Sequence, residues 1–155
     1  MTNFQISSPV FENNGFIPER YTFYHENISP PLKWSGIPEG TKSLALIMFD
    51  PIAKTPGFVH WVFYNIPPVI EGLEENIEKT AIVPGKGAQG LNGKGDAEYR
   101  GCGPGPGPAH PYHFHLYALD LDPSLPVSMD AATLRERIKD HVLAENEIIG
   151  MYQQT

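Results

Sequence analysis

Three short apolar segments stand out along the chain and predict buried β-strands. Two of them, 44–49 and 58–66, are rich in branched and aromatic residues, and a proline stands just after each. The third, 112–119, alternates between an apolar face and a face that carries His113 and His115. This pattern favours a fold built mainly from β-sheet.

A helix is predicted near the C-terminus, over 131–145. Asp130 is placed to act as its N-cap. The segment 70–77 is short and broken by a glycine, and it predicts a turn or one short helix. Apolar residues recur every four positions in the predicted helix, at Leu134, Ile138 and Val142. Together with the strands, this helix indicates a predominantly β sandwich with a C-terminal α-helix.

The segment 84–111 is rich in glycine and proline and contains no apolar run, which predicts one long ordered loop. It ends in a Gly-Pro alternation whose period of two excludes a collagen-like structure. Because proline has no N–H, only the amides near Gly101, Cys102 and Gly103 remain as donors for an anion. No internal repeat or linker-like stretch interrupts the chain, so we expect a single domain over 1–155.

Composition and charge narrow the classes of protein further. The 155 residues include 18 acidic and 11 basic side chains, a net charge of -7, which disfavours binding to nucleic acid or to an anionic membrane surface. The single cysteine cannot form an internal disulfide and suits a reducing compartment. No basic, apolar leader and no stretch of about 20 apolar residues occurs, so we expect a cytoplasmic protein without membrane insertion.

The common catalytic motifs are missing from the sequence. It contains no G-x-S-x-G elbow, no P-loop ending in Gly-Lys-Ser/Thr, no H-E-x-x-H and no strand-linked G-x-G-x-x-G. These absences argue against the familiar hydrolases, nucleotide-binding enzymes and zinc proteases. No cofactor is predicted.

Several residues with useful chemistry lie at or near the ends of the predicted strands. Asp50 ends the first strand, His60 lies in the second, and His110 and Tyr112 open the third. If these ends converge, they create a small pocket with imidazoles, a phenol and a carboxylate. A histidine within an apolar strand can equally be a core residue, and Trp61, with parity opposite to His60, should pack on the other side of the strand.

The two histidines of the third strand raise a second possibility. His113 and His115 share a face and lie about 6.5 Å apart along a strand, a spacing that suits two ligands of one metal ion. A metal needs further ligands, and Asp120 has the opposite parity on the strand. A metal-dependent β-sandwich enzyme that uses His113 and His115 therefore stays an alternative.

Five segments follow one another in a characteristic order: NISPPLKW at 27–34, GTKSLALI at 40–47, DP at 50–51, HWVFYNIP at 60–67 and HPYHFHLYALD at 110–120. Together they resemble the phosphatidylethanolamine-binding protein family, especially its bacterial branch of Raf kinase inhibitor-like proteins. The resemblance implies a sandwich of antiparallel sheets with Greek-key connections, short peripheral helices and no catalytic machinery. It also implies a small cavity that accepts phosphate or a phosphoethanolamine head group.

Carried onto this chain, the family's motifs assign the ligand-binding role to Asp50, His60, Gly101, Gly103, Pro104, His110 and Tyr112. Three positions depart from the family's usual pattern, namely Ile52, Lys54 and Gly105. A carboxylate suits an anion site only if it is paired with an imidazole or a ligand ammonium group. We therefore predict that His60 or His110 is hydrogen-bonded to Asp50, and that anion binding strengthens as the pH falls through the histidine range.

The expected function is a non-enzymatic protein that binds a phosphorylated or anionic small ligand. The resemblance extends this expectation to modulation of kinase signalling or of a protease, and to a protein partner. A structural, homodimeric interaction protein is the other alternative, beside the metal-dependent enzyme.

Overall fold

The computed structural model describes residues 3–53 and 57–154. Within these ranges, nine strands form two antiparallel sheets, in the orders β1-β2-β5 and β6-β7-β4-β3-β8-β9. The strands are β1 Gln5–Ser7, β2 Leu32–Ser35, β3 Ser43–Asp50, β4 Phe58–Ile66, β5 Gly72–Leu73, β6 Ile82–Val83, β7 Gly87–Gln89, β8 His110–Leu119 and β9 Val142–Tyr152. The described part of the chain also contains the α-helix α1, Ala131–Ile138, and a 3₁₀ turn, Glu19–Tyr21.

The strand order follows the predicted Greek-key plan. Strands β3, β4 and β7 are neighbours, and β8 returns along a long connection to lie beside β3. The three strands predicted from apolar segments are β3, β4 and β8, and they form the centre of the larger sheet. The mainly β fold predicted from the sequence is confirmed.

Both faces of the larger sheet are buried at its centre. Between the sheets, Trp34 and Leu73 of the smaller sheet pack with side chains of β3, β4 and β8 such as Met48, Phe63 and Phe114. The opposite face packs against helix α1 and the segment before it, through Leu125, Met129, Leu134 and Ile138. Burial on two sides explains why β3 reads as a continuous apolar run rather than as an alternation.

The predicted helix over 131–145 is too long. Helix α1 begins after Asp130, whose carboxylate accepts a hydrogen bond from the Thr133 amide as expected of an N-cap, but it ends at Ile138. Val142 opens strand β9, which pairs with β8 over nearly the whole length of both strands. This long ladder outweighs the local helical spacing of Val142, and the last element of the chain is therefore a strand.

Two further predictions need correction. The segment 70–77 contains the two-residue strand β5 and no helix. The segment 84–111 is mostly loop but includes β7, and β8 begins at His110, within its predicted range. In the part of the chain that the structure describes, no helix is long and apolar enough to cross a membrane.

A β-bulge at His60 changes the predicted parity of β4. Val59 pairs with Phe49 and Trp61 pairs with Met48, so His60 is an extra residue without a partner on β3. As a result, Trp61 belongs to the layer between the sheets, and that layer also contains Tyr112, which the His60 ring contacts. The prediction that Trp61 packs on the opposite side from His60 is wrong, because simple alternation ends at a bulge.

Candidate anion-binding pocket

The strand ends converge on a cavity of about 390 Å³ at one end of the larger sheet. Asp50, His60, His110 and Tyr112 all contribute to its lining, as the sequence predicted. The other lining residues come from the loops and from the start of β4: Ala53, Phe58, Gly103, Pro104 and Gly105. The cavity is thus built from segments far apart in the chain.

The sheet itself positions the four polar side chains. Asp50 is the last residue of β3, one step beyond the final pair with β8, which joins Phe49 to His113. His110 and Tyr112 are two residues apart on β8 and so share a face of the strand. The bulge turns His60 toward Tyr112, and their rings meet edge to face at 5.2 Å. Bulges commonly redirect a side chain in this way beside functional sites.

Asp50 and His110 form a close pair. The Nδ1 atom of His110 lies 2.7 Å from Oδ2 of Asp50, which confirms the prediction that one of the two histidines contacts this carboxylate. The second carboxylate oxygen, Oδ1, accepts a hydrogen bond from the Ile52 amide at 3.0 Å. Asp50 is only 3% exposed, so its charge is directed at these donors rather than at solvent.

His60 is held by the loop that precedes the Gly-Pro alternation. Its Nδ1 lies 2.8 Å from the carbonyl oxygen of Arg100, and the Arg100 amide donates back to the His60 carbonyl at 2.9 Å. A carbonyl oxygen only accepts hydrogen bonds, so Nδ1 carries a proton. Burial lowers the pKa of His60, while the Arg100 carbonyl and the Asp50 charge oppose that shift without cancelling it. The neutral ring is therefore favoured.

Tyr112 contributes a phenol to the lining of the cavity. The residue is 1% exposed, and burial raises the pKa of its hydroxyl far above the usual value, with nearby Cys102 and Asp50 adding to the effect. The hydroxyl therefore keeps its proton and can donate to a ligand. Its ring also stacks on His110, with centroids 6.4 Å apart.

The Gly-Pro loop forms one wall, but not with all of the predicted residues. Gly103 and Pro104 line the cavity, whereas Gly101 does not, because it is buried and its amide donates to Oδ1 of Asn27 at 2.7 Å. Gly105, predicted only as a departure from the family pattern, lines the cavity instead. The hydroxyl of Tyr24 fixes this wall by donating to the Pro104 carbonyl at 2.7 Å.

The three departures fall at different places relative to the cavity. Ile52 is 55% exposed, and its amide supports Asp50. Lys54 lies outside the described residues.

Two residues, Ala53 and Phe58, line the cavity although the sequence did not predict them. Phe58 pairs with Asp50 across β3 and β4, so strand register was the signal that could have found it.

Cys102 lies beneath the pocket wall rather than in its lining. It is fully buried, and burial raises the pKa of its thiol well above the usual range. A protonated, inaccessible thiol is a poor nucleophile and a poor metal ligand. Cys102 is therefore a small residue of the core.

His113 and His115 lie outside the pocket and contact two glutamates of β9. The Nδ1 atoms of both rings lie 3.0–3.2 Å from carboxylate oxygens of Glu147, and Nε2 of His115 lies 2.8 Å from Glu145. In the ranges 3–53 and 57–154, no group of three or more His, Cys, Asp or Glu residues is arranged to hold a metal ion.

Two antiparallel sheets with a polar cavity at one end of the larger sheet define a β-sandwich protein with a pocket formed by strand ends. The family model described as phosphatidylethanolamine-binding protein matches residues 7–153 of this sequence. The chain therefore belongs to the phosphatidylethanolamine-binding protein family.

Relatives cover almost the whole chain. A UPF0098 protein of Methanothermobacter thermautotrophicus is 44% identical over 96% of this chain and 98% of its own length. Another, from Aquifex aeolicus, is 37% identical over 97% of this chain and 88% of its own.

Solved structures agree with the fold. The crystal structure of CT736, a phosphatidylethanolamine-binding protein homolog of Chlamydia trachomatis, matches with a TM-score of 0.88 and 32% identity over all of both chains. That of E. coli YbcL, described as a member of the mammalian family, matches with a TM-score of 0.88 and 29% identity over 98% of this chain and 99% of its own.

Proposed function

We propose that this chain is a non-enzymatic binding protein that holds a phosphate group, free or attached to a larger ligand, in the pocket. The observation that carries the proposal is the convergence of Asp50, His60, His110 and Tyr112 on one cavity. Its volume of about 390 Å³ leaves room for a phosphate and part of the group to which it is attached.

The available donors suit a tetrahedral anion. Tyr112 offers a hydroxyl that stays protonated. His110, with Nδ1 engaged by Asp50, donates from Nε2 when its ring is an imidazolium. The amides of Gly103 and Gly105 have no hydrogen-bond partner among the described residues and lie in the wall. Hydrogen bonds to a charged ligand are stronger than neutral ones, so a few such donors are enough for binding.

The same lining argues for binding rather than for catalysis. The described residues that line the cavity include no serine, threonine, cysteine or lysine, the usual nucleophiles of covalent catalysis. Cys102 lies close by but is buried as a protonated thiol. His110 and Asp50 could move a proton, but the described lining residues offer them no serine, threonine, cysteine or lysine to activate.

The phosphate group could belong to several kinds of partner. The family's name supports a phosphoethanolamine head group as one candidate ligand, and a phosphorylated side chain of a protein presents the same chemistry. The net charge of -7 disfavours adsorption to an anionic bilayer, so any lipid contact would depend on the head group. Modulation of kinase signalling or of a protease, within the cytoplasm, would follow from recognition of a phosphorylated protein.

Calorimetric titration with phosphate and with phosphoethanolamine between pH 5.5 and 8.5 tests the proposal. We expect affinity to increase as the pH falls through the histidine range, because a protonated imidazole adds a charged donor. His110→Gln should reduce this pH dependence, because it removes the imidazole, and should leave only the part that comes from protonation of the phosphate itself. His141→Gln is a matched control, because His141 is also paired with an aspartate, Asp120, but on the surface. A pH-independent affinity, or the same loss in both variants, would contradict the proposal.

A further inference from the structure

His60 contributes an acceptor to the pocket, not a donor. Its Nδ1–H is committed to the Arg100 carbonyl, which leaves Nε2 as the ring nitrogen that can meet a ligand. In a neutral imidazole that atom holds a lone pair. No described residue donates a hydrogen bond to it.

The surroundings of the ring keep it neutral. Phe58 and Tyr112 contact it edge on, at 4.9 and 5.2 Å between ring centroids, and the residue is only 6% exposed. The charged or titratable groups around it are Asp50, Arg100, His110 and Tyr112, and burial is the largest influence on its pKa, which is lowered. Asp50 does not reverse that effect, since its carboxylate is already paired with His110.

The pocket therefore combines donors with two acceptors. Tyr112 and the loop amides can donate to an anion, whereas Nε2 of His60 and the carboxylate of Asp50 can only accept. A fully deprotonated oxyanion would place its own lone pairs against those acceptors. A buried acceptor left without a donor costs free energy, and the site then discriminates against ligands that cannot donate.

We propose that the pocket selects a phosphate monoester in its singly protonated form, whose remaining P–OH donates to Nε2 of His60. His60 is then a specificity-determining residue, and oxyanions of the same shape and charge without a proton are rejected. This inference rests on the proposed function, since it assumes that the anion enters this pocket.

Three small anions distinguish recognition of a P–OH proton from recognition of negative charge alone. Methyl phosphate has a second pKa of about 6, so at pH 5.5 most of it carries one negative charge and one P–OH. Methyl sulfate has a similar shape and the same charge but no acidic proton. Dimethyl phosphate keeps the phosphorus and the single charge and also lacks the proton.

Calorimetry of the full chain at pH 5.5 gives the decisive comparison. We expect methyl phosphate to bind at least about tenfold more tightly than either unprotonated anion, as one charge-assisted hydrogen bond allows. Equal affinities for all three would overturn the inference while leaving an anion-binding pocket in place. No binding of any of them would overturn both the inference and the proposed function.

Histidine nitrogen NMR of the wild-type protein provides a test that needs no variant. In the complex with methyl phosphate, Nδ1 of His60 should carry the proton and Nε2 should have the shift of an acceptor. A proton on Nε2 in that complex would overturn the inference. His60→Phe, which removes the acceptor and keeps a ring, should reduce the preference for methyl phosphate over methyl sulfate to near one. A preference that survives in a folded His60→Phe variant would also count against it.

Discussion

At the scale of a single residue, the hydroxyl of Tyr112 is expected to contribute directly to phosphate binding in the pocket. Because burial keeps this phenol protonated, its donor capacity does not depend on pH in the physiological range. Tyr112→Phe removes the donor and little else. We expect phosphate affinity to fall about tenfold or more, the cost of one hydrogen bond to a charged ligand, with little change in the urea midpoint.

Tyr117 provides the matched control on the same strand. It lies on the opposite face of β8, its hydroxyl is associated with Arg135, and it does not line the cavity. Tyr117→Phe should leave phosphate affinity unchanged in the same calorimetric titration. If Tyr112→Phe binds phosphate as tightly as the wild type, the phenol does not face the ligand.

The polar side chains of the site could be predicted from the sequence, but its backbone donors could not. Asp50, His60 and His110 are recognisable because their residue types stand at strand ends and within motifs of the family. Which amides of the Gly-Pro loop face the cavity depends on distant contacts. Asn27 takes the amide of Gly101, and Tyr24 holds the carbonyl of Pro104. Neither contact has a signature near the loop itself.

The same distinction applies to the secondary-structure elements, since some are determined by local sequence and others by contacts with distant parts of the chain. Strands β3, β4 and β8 could be predicted because their apolar patterns agree with their final environment. The start of β9, 142–145, was mistaken for helix because Val142 continues a spacing of four residues, while Glu145 and Glu147, two positions apart on one face of a strand, were the competing signal. Pairing with β8 decides between the two, and no local pattern reveals that partner.

The substitution Trp61→Ala tests how much the packing of strand β4 between the sheets contributes to stability. The residue is fully buried between the sheets, and its Nε1 donates to Oε1 of Gln89 at 2.7 Å. We expect Trp61→Ala to lower the free energy of unfolding by about 3–5 kcal/mol, because it leaves a large cavity and also deprives Gln89 of its donor. Urea denaturation monitored by far-UV circular dichroism would measure the change.

A substitution at an exposed position provides the baseline for that measurement. Val69 is 84% exposed, so Val69→Ala should change stability by no more than about 0.5 kcal/mol. A loss below about 2 kcal/mol in Trp61→Ala would mean that the layer between the sheets repacks easily. In that case the bulge that positions His60 would not be rigid.

At the scale of the whole molecule, the larger sheet has one buried layer on each of its faces, and both layers support the strands that form the pocket. The layer between the sheets contains Tyr112, and the layer under α1 is backed by Leu134 and Ile138. The smaller sheet could not be predicted in detail, since its strands have two to four residues each. Such short strands are defined by their partners rather than by their own sequence.

The pH dependence of stability is a property of the whole molecule that arises from two groups. Burial lowers the pKa of His60 below 6.5, so the unfolded chain binds the proton more readily. Burial alone would raise the pKa of Glu147, but hydrogen bonds from His113 and His115 outweigh that effect and lower it below 4.5. Both groups therefore stabilise the native state at neutral pH and lose that contribution on acidification.

The two contributions should be lost in separate pH windows. The contribution of His60 is complete above about pH 6.5 and declines as the pH falls toward the lowered pKa of its folded state. That of Glu147 is complete above about pH 4.5 and declines below it. Urea unfolding at a series of pH values from 7.5 to 3.5 should show His60→Gln with a shallower slope in the upper window only. Glu147→Gln should be shallower in the lower window only, and His141→Gln serves as the surface control. Identical slopes for wild type and His60→Gln between pH 6.5 and 5 would mean that His60 is not buried as a neutral ring, and the acceptor role assigned to its Nε2 would fall with it.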